Sequence, residues 1–324
     1  MTQTPEPATR AIRVRGQTLN VAEAGPETGP LVVLLHGFPE FWWGWRHQIG
    51  PLAEAGMRVV APDQRGYNLS SKPDDLAAYH LDRLAADVIG LADAYGRDRI
   101  SVVGHDWGGL VAWWAAAQHP GRIERAAILN APHPDVFGAY ARRHPSQALR
   151  STYVGLFQLP WLPEAALRAG GFLGLRRALA TSSRPGTFTP ADLDRYAAAW
   201  RQPGALTGML NWYRALRLAR RAAPAPVRPP VLVLWGEKDT ALETGLARAS
   251  LALCEAGSAR WFPEATHWVQ HEEVAAVNAA LLAFLAPART GAPPPGAGRD
   301  PDAGPLPETG QDLSARPTPD PAPG

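Results

Sequence analysis

The fold of this 324-residue chain is decided by the stretch Ile100-Ser101-Val102-Val103-Gly104-His105-Asp106-Trp107-Gly108-Gly109. A short β-branched run enters a turn of the form Gly-x-x-x-Gly, and a helical pattern over residues 110–118 leaves it. We therefore predict a buried strand, a tight turn and a helix, with Asp106 exposed at the tip of the turn. Glycine is needed on both sides of the turn because a Cβ there would clash with the neighbouring strand and helix.

The residue at the tip of this turn determines the chemistry. Such a turn is the nucleophile elbow of the α/β-hydrolase fold, in which serine usually occupies the central position. Here that position holds Asp106. A carboxylate is nucleophilic without first losing a proton, so it suits displacement at an sp³ carbon rather than attack on a carbonyl.

Composition and charge exclude several classes of protein. A hydrophobic fraction of 46% with twelve Trp is enough to build a sizeable core. The net charge of +2 is too small to indicate a nucleic-acid partner. The only cysteine is Cys254, no apolar run approaches the roughly 18 to 20 residues of a membrane span, and the first residues do not resemble a signal peptide. We expect a cytoplasmic protein with no membrane span, and the sequence leaves its oligomeric state unknown.

The composition divides the chain into five parts. Residues 1–10 are polar and are predicted to be a flexible N-terminus, and residues 287–324 form a tail rich in Pro and Gly that we expect to be disordered. Residues 11–134 and 227–286 are the predicted first and second parts of the α/β-hydrolase core. Residues 135–226, which carry helical patterns broken by Pro and Gly, are the predicted helical cap.

Eight strands are predicted in the core, alternating with helical patterns. They are Ala11–Val14, Thr18–Glu23, Leu31–Leu35, Arg58–Pro62, Ile100–Gly104, Arg125–Leu129, Val231–Trp235 and Ala259–Phe262. This alternation is typical of an α/β fold with a mostly parallel central sheet and helices on both faces. The cap is then inserted after the sixth strand, where it would lie over the catalytic face.

A second loop should approach Asp106 from the third strand. That strand is followed by His36-Gly37-Phe38-Pro39-Glu40. In this fold, the loop here and the residue after the nucleophile each contribute one backbone N–H to an oxyanion hole. We expect the donors to be the N–H groups of Phe38 and Trp107.

The acid and the base should follow the nucleophile in chain order. Asp239 lies just beyond the buried strand Val231–Trp235, and His267 follows the last strand. We predict that His267 is the base and that Asp239 orients its ring. Glu237 and His271 are weaker candidates for the same two roles.

Five strings of sequence resemble the soluble epoxide hydrolases of the α/β-hydrolase superfamily. They are His36 to Glu40, His105-Asp106-Trp107-Gly108-Gly109, Asn130-Ala131-Pro132-His133-Pro134, Phe157-Gln158-Leu159-Pro160 and Asn211-Trp212-Tyr213-Arg214. The resemblance runs from about residue 10 to residue 286. It implies that Tyr153 and Tyr213 of the cap donate hydrogen bonds to an epoxide oxygen. It also implies that a small apolar epoxide becomes a vicinal diol through a hydroxyalkyl ester on Asp106.

Aromatic residues near these strings indicate an apolar substrate. Phe38, Trp42, Trp43 and Trp107 are the predicted substrate-binding side chains. No metal-ligand spacing and no phosphate-binding glycine loop is present, so we predict neither a metal nor another cofactor.

Three other functions remain open. Dehalogenases share the Asp nucleophile, but those acting on haloalkanes usually place Asn where this chain has Phe38, and those acting on fluoroacetate usually place Arg where it has Trp107. A non-catalytic ligand-binding protein of this fold commonly lacks a triad member, whereas all three are present here. A serine esterase fits least, because Asp106 replaces the serine.

Overall fold

A single eight-stranded sheet organises the chain in the computed structural model, which describes residues 7–218 and 226–286. The strands are β1 (Ala8–Val14), β2 (Gln17–Ala24), β3 (Leu31–Leu35), β4 (Arg58–Pro62), β5 (Ile100–His105), β6 (Ile123–Leu129), β7 (Val231–Gly236) and β8 (Gly257–Phe262). Their order across the sheet is β1-β2-β4-β3-β5-β6-β7-β8. The β1–β2 and β2–β4 pairs are antiparallel and all the others are parallel, so the predicted mostly parallel sheet is confirmed.

In the core the helices alternate with the strands, whereas in the described residues between β6 and β7 six α-helices follow one another without a strand. They are α1 (Ile49–Glu54), α2 (Leu81–Ala94), α3 (Trp107–Gln118), α4 (Pro134–Arg143), α5 (Pro145–Arg150), α6 (Thr152–Leu156), α7 (Leu162–Ser182), α8 (Pro190–Trp200), α9 (Ala205–Ala215), α10 (Thr244–Leu251), α11 (Val269–Glu272) and α12 (Val274–Leu285). Every residue of β3, β5 and β7 is buried, because helices or neighbouring elements cover these central strands. In the ranges that the structure describes, no helix is both long and apolar enough to cross a membrane.

The first strand begins earlier than predicted. Residues 8–10, assigned to a flexible N-terminus on their polarity, belong to β1 and pair in register with β2, from Ala8 opposite Glu23 to Val14 opposite Gln17. Residues 8–11 are exposed, so hydrogen bonds to β2, rather than apolar burial, hold them in the sheet. A hydrophobic pattern in the sequence therefore could not predict this part of the strand. Residues 1–6, the last part of the predicted cap at 219–225 and the predicted disordered tail from 287 lie outside the described residues.

Helices α4 to α9 occupy the position in the chain where the cap was predicted. We refer to residues 134–218 as the helical insertion. Its tryptophans hydrogen-bond to core loops: Trp200 Nε1 donates to the Pro39 carbonyl at 2.6 Å, and Trp212 Nε1 donates to the Arg65 carbonyl at 2.8 Å. Both rings are buried, so these bonds also fix the insertion against the loops that follow β3 and β4.

Candidate active site

The elbow has the strained backbone that its function needs. Asp106 joins β5 to α3 with φ 50° and ψ −121°, a conformation that costs a non-glycine residue on the order of 1–3 kcal/mol. A Cβ on Gly104 would lie 2.3 Å from the Gly108 carbonyl oxygen, and one on Gly108 would lie 2.1 Å from the Leu35 carbonyl oxygen. Both predicted glycine requirements are therefore confirmed, and the turn leaves the Asp106 side chain accessible.

The loop after β3 touches the Asp106 carboxylate. The Phe38 N–H donates to Asp106 Oδ1 at 2.8 Å. This approach depends on Gly37, where a Cβ would lie 2.4 Å from the Cβ of Asp106. Trp107 is the first residue of α3, and N–H groups in the first turn of a helix have no acceptor within the helix. The structure thus places the Phe38 N–H on the carboxylate, and the part of the Trp107 N–H in an oxyanion hole stays a prediction.

His267 lies between two carboxylates that come from distant parts of the chain. Its Nδ1–H donates to Asp239 Oδ2 at 2.7 Å, and its Nε2 is 3.6 Å from Asp106 Oδ2. The three predicted residues are thus brought together at the carboxyl ends of β5, β7 and β8. His271, the weaker candidate, instead contacts the buried carboxylate of Glu40 at 2.8 Å.

The charges around His267 set its protonation state. Burial by itself lowers the pKa of His267, but the negative charges of Asp239 and Asp106 outweigh it and raise the pKa to about 9. Burial would raise the pKa of Asp239, yet His267 and its hydrogen bonds keep it below its usual value. The charge of Asp106 contributes to this raised pKa, so the loss of that charge would lower the pKa of His267.

Asp239 is fixed by a residue whose role the sequence did not reveal. Asn130 Nδ2 donates to Asp239 Oδ2 at 2.8 Å, and the Gly236 N–H donates to Asn130 Oδ1 at 2.8 Å. The N–H groups of Ala241 and Leu242 donate to Asp239 Oδ1 at 2.8 and 2.9 Å. Asn130 and Asp239 are 109 positions apart, so the sequence marked Asn130 only by its place directly after a buried strand and in one of the strings that carry the resemblance, and not by its contact with Asp239.

A buried polar cluster supports His267 from behind. The His105 Nε2–H donates to the His267 carbonyl at 2.9 Å, and His105 Nδ1 is 3.3 Å from Glu40 Oε2. Glu40 also accepts a hydrogen bond from the Tyr196 hydroxyl at 2.6 Å. Tyr196 lies on α8, so this cluster connects the helical insertion to the backbone of His267.

Two tyrosines of the helical insertion face the elbow. Tyr153 on α6 and Tyr213 on α9 have ring centroids 6.0 Å apart, and the Tyr213 ring is 4.9 Å from that of Trp107 and 5.3 Å from that of Phe38. Burial, with a further contribution from the charge of Asp106, raises the pKa of both phenols. Both hydroxyls therefore remain protonated near neutral pH and can donate hydrogen bonds.

The comparisons with known proteins agree with this geometry. Residues 30–274 match the family model for the alpha/beta hydrolase fold. Epoxide hydrolase 4 of Mus musculus is 37% identical over 284 residues, which cover 85% of this chain and 78% of that protein. This chain belongs to the epoxide hydrolase family of α/β-hydrolases. The resemblance noted in the sequence is therefore confirmed.

Two further relatives align with this chain over almost their whole length. The AB hydrolase superfamily protein YfhM of Bacillus subtilis (strain 168) is 48% identical over 275 residues, 85% of this chain and 96% of that protein. The crystal structure of Bacillus megaterium epoxide hydrolase in complex with an inhibitor superposes with a TM-score of 0.78 at 30% identity, over 85% of this chain and 99% of that chain.

Two aromatic residues predicted to contact substrate have other surroundings in this family member. The Trp42 ring contacts those of Phe41 and Trp43, at 5.9 and 5.4 Å. Trp43 Nε1 donates to Asp192 Oδ1 at 3.2 Å, and the Arg195 guanidinium lies 4.1 Å from the Trp43 ring. Both partners of Trp43 are on α8, so Trp43 packs between the core and the helical insertion. Contact of Trp42 and Trp43 with substrate stays a prediction.

Metal binding and thiol chemistry find little support among the residues that the structure describes. There, no three His, Cys, Asp or Glu side chains form a group that could hold a metal ion. Burial raises the pKa of the Cys254 thiol to about 12, so it stays protonated at neutral pH.

Proposed function

We propose that this chain hydrolyses a small apolar epoxide to a vicinal diol through a hydroxyalkyl ester on Asp106. The observation that carries the proposal is the convergence of two protonated phenols, Tyr153 and Tyr213, on a carboxylate nucleophile. An epoxide opens to an alkoxide, which needs hydrogen-bond donors and a proton. A halide leaves as a stable anion and needs no proton, so a dehalogenase has no comparable use for two phenols.

The first half of the reaction forms the ester. Asp106 Oδ1 accepts a hydrogen bond from the Phe38 N–H, whereas Oδ2 lies 3.6 Å from His267 Nε2, beyond hydrogen-bond distance, so Oδ2 is the proposed attacking oxygen. A bond forms between Oδ2 and that carbon while the carbon–oxygen bond of the ring breaks. The electron pair of the broken bond stays on the epoxide oxygen, to which Tyr153 or Tyr213 gives a proton. Phe38, Phe157 and Trp107 supply apolar walls around the reacting groups.

The second half releases the diol. His267 Nε2 takes a proton from a water molecule, whose oxygen attacks Cγ of the Asp106 ester. The resulting oxyanion is stabilised by the N–H groups of Phe38 and Trp107, a contribution typically worth on the order of 100- to 1000-fold per donor. Collapse of the intermediate breaks the bond between Cγ and the alkyl oxygen, and His267 returns its proton to that oxygen. Asp106 is regenerated with one oxygen from water, and the second proton of that water passes from the new carboxyl group to the phenolate left by Tyr153 or Tyr213, so that both groups return to their starting states.

The helical insertion is the proposed cap over this chemistry. It supplies both phenols, and its Trp200 and Trp212 anchor it to loops that border the elbow. Such a cover excludes water from the first half of the reaction, which strengthens the hydrogen bonds of the phenols to the developing alkoxide.

A single turnover in heavy-oxygen water tests this function. With enzyme in excess over styrene oxide, the first diol should carry no heavy oxygen, because its new hydroxyl comes from Asp106. The heavy oxygen should appear instead on Asp106 in the digested enzyme. Diol labelled in that turnover would indicate direct attack by water. Halide released from haloalkanes, or binding without turnover, would favour the dehalogenase and the ligand-binding protein respectively.

Removal of the phenol hydroxyls should slow ester formation. Tyr153→Phe and Tyr213→Phe should each reduce its rate by about 100-fold, as loss of one donor to a developing oxyanion does. The variant with both changes should lose more than either single variant. Rapid-quench single turnovers of styrene oxide, followed by intact mass, measure this rate.

A tyrosine outside the ring cluster provides the control for these variants. The Tyr140 hydroxyl donates to Glu243 Oε2 at 3.1 Å, and Tyr140→Phe should leave both half-reactions unchanged. If the double variant formed the ester as fast as the unaltered chain, the phenols would have no part in ring opening.

A further inference from the structure

The two proposed phenol donors come from two segments of the described chain that share no backbone–backbone hydrogen bond. Tyr153 lies on α6, a helix of five residues, whereas Tyr213 lies near the end of α9, sixty positions later. A helix as short as α6 is not stable by itself. Side-chain contacts between the α6 segment and α9 therefore contribute to the separation between the two phenols.

Gln158 makes one such contact directly at Tyr213. Its Nε2 donates to the Tyr213 carbonyl at 2.9 Å and to the Val154 carbonyl at 3.2 Å. One amide group therefore joins the backbone of the residue after Tyr153 to the backbone of Tyr213.

Arg214 makes the second contact, from the position after Tyr213. Its guanidinium donates to five acceptors: the Phe157 carbonyl (3.1 Å), the Leu159 carbonyl (2.7 Å), Glu164 Oε1 (2.7 Å), Glu164 Oε2 (3.0 Å) and Asn211 Oδ1 (3.5 Å). A guanidinium has five N–H donors, so the whole group is engaged. The side chains of Arg214 and Glu164 are only 11% and 15% exposed, so this ion pair is shielded from water.

Phe157 occupies the space between these contacts and the phenols. Its ring centroid is 5.6 Å from that of Tyr153 and 5.0 Å from that of Tyr213, while its carbonyl accepts from Arg214. A displacement of the Phe157 backbone would therefore move a ring that packs against both phenols.

We propose that Arg214 and Gln158 are positioning residues that hold Tyr153 and Tyr213 together as a pair of donors to the epoxide oxygen. The inference rests on the proposed function, because the pair has this use only in ring opening. Only arginine can make this set of hydrogen bonds. Lysine has all its donors on one nitrogen atom and cannot reach two carbonyls and both carboxylate oxygens together. The donors of both side chains are engaged by acceptors of the protein, so both residues would act through the tyrosines.

The two half-reactions make the role testable. Ring opening depends on the phenols, whereas ester hydrolysis depends on His267 and the backbone N–H groups. Arg214→Met should therefore slow ester formation by about 10- to 100-fold, the range produced by a misplacement of about 1 Å, and leave ester hydrolysis unchanged. Arg214→Lys should restore part of the rate. Gln158→Leu, which leaves the ion pair with Glu164 intact, should also slow ester formation alone.

A matched control breaks another ion pair of the helical insertion. Arg176 Nη2 contacts Asp194 Oδ1 at 2.8 Å between α7 and α8, and Arg176→Met should change neither half-reaction. Rapid-quench turnovers of styrene oxide give both rate constants, and thermal unfolding shows whether each variant is folded. Gln158→Leu provides the test if Arg214→Met does not fold.

The outcomes separate this inference from the proposed function. Equal slowing of both half-reactions in folded variants would indicate general disruption, and unchanged ester formation would show that the tyrosines need no such support; either result overturns the positioning role. An unaltered chain that forms neither ester nor diol would overturn the proposed function itself, before any variant is compared.

Discussion

Replacement of His267 by glutamine should stop the enzyme after one turnover, with the substrate attached to Asp106. Ester formation needs the carboxylate and the phenols, both of which remain in this variant. Ester hydrolysis needs a base for water, and loss of a positioned general base slows such a step by about 10²- to 10⁴-fold. Intact mass after mixing with styrene oxide should therefore show one stoichiometric adduct, located on the peptide that contains Asp106.

The electrostatics of His267 provide an independent check on this result. Its pKa is raised to about 9 by the charges of Asp239 and Asp106, which outweigh the effect of burial. In the ester the charge of Asp106 is absent, so the pKa of His267 that governs hydrolysis lies below about 9. A protonated imidazole cannot accept a proton from water, so ester hydrolysis in the unaltered chain should slow as the pH falls through that lower pKa, and the adduct should accumulate in acid. His144→Gln is the matched control, since His144 stacks on Tyr140 away from the site. Steady diol production by His267→Gln, with no adduct, would remove His267 as the base.

Much of the site could be predicted because its residues are tied to local patterns. Gly104 and Gly108 mark the elbow in the sequence because no Cβ fits beside the backbone there, at 2.3 and 2.1 Å. Asp239 follows the apolar run of β7, His267 follows the less apolar strand β8, and the carboxyl ends of parallel strands meet at one edge of a sheet. The order of these residues along the chain and their places at strand ends were therefore enough to predict that the three side chains meet.

The residues that could not be predicted act through contacts with no local pattern. Asn130 holds Asp239 across 109 positions, and Arg214 reaches Glu164 across 50. Asn130 and Arg214 lie in segments whose hydrophobic patterns do not depend on these contacts, so the patterns could not indicate them. Trp43 shows the same limit: its aromatic character predicts a substrate wall, and nothing in the sequence indicates that its indole N–H donates to Asp192 on α8. Residue type predicts what a side chain can do, whereas its partner depends on the packing of distant elements.

Replacement of Asp106 by alanine should abolish both ester and diol. Loss of a covalent nucleophile typically lowers turnover by on the order of 10⁴- to 10⁶-fold. Alanine is preferable to asparagine, because hydrolysis of an asparagine amide would regenerate the carboxylate. Asp194→Ala provides the control, since the Asp194 side chain is 72% exposed on α8 and lies outside the site. Substrate binding should persist in Asp106→Ala, because the aromatic walls and both phenols remain, and quenching of tryptophan fluorescence by a bound aryl epoxide would report it.

The same variant tests the geometry without any substrate. Asp106 Oδ2 is 3.6 Å from His267 Nε2, and its negative charge contributes to the raised pKa of that imidazole. In Asp106→Ala this contribution is lost while Asp239 remains, so the pKa of His267, followed by NMR titration, should fall below about 9. An unchanged pKa would mean that Asp106 and His267 are not neighbours in solution. A lowered pKa together with persistent diol formation would keep the geometry but make Asp106 an electrostatic partner of a directly attacking water, rather than the nucleophile.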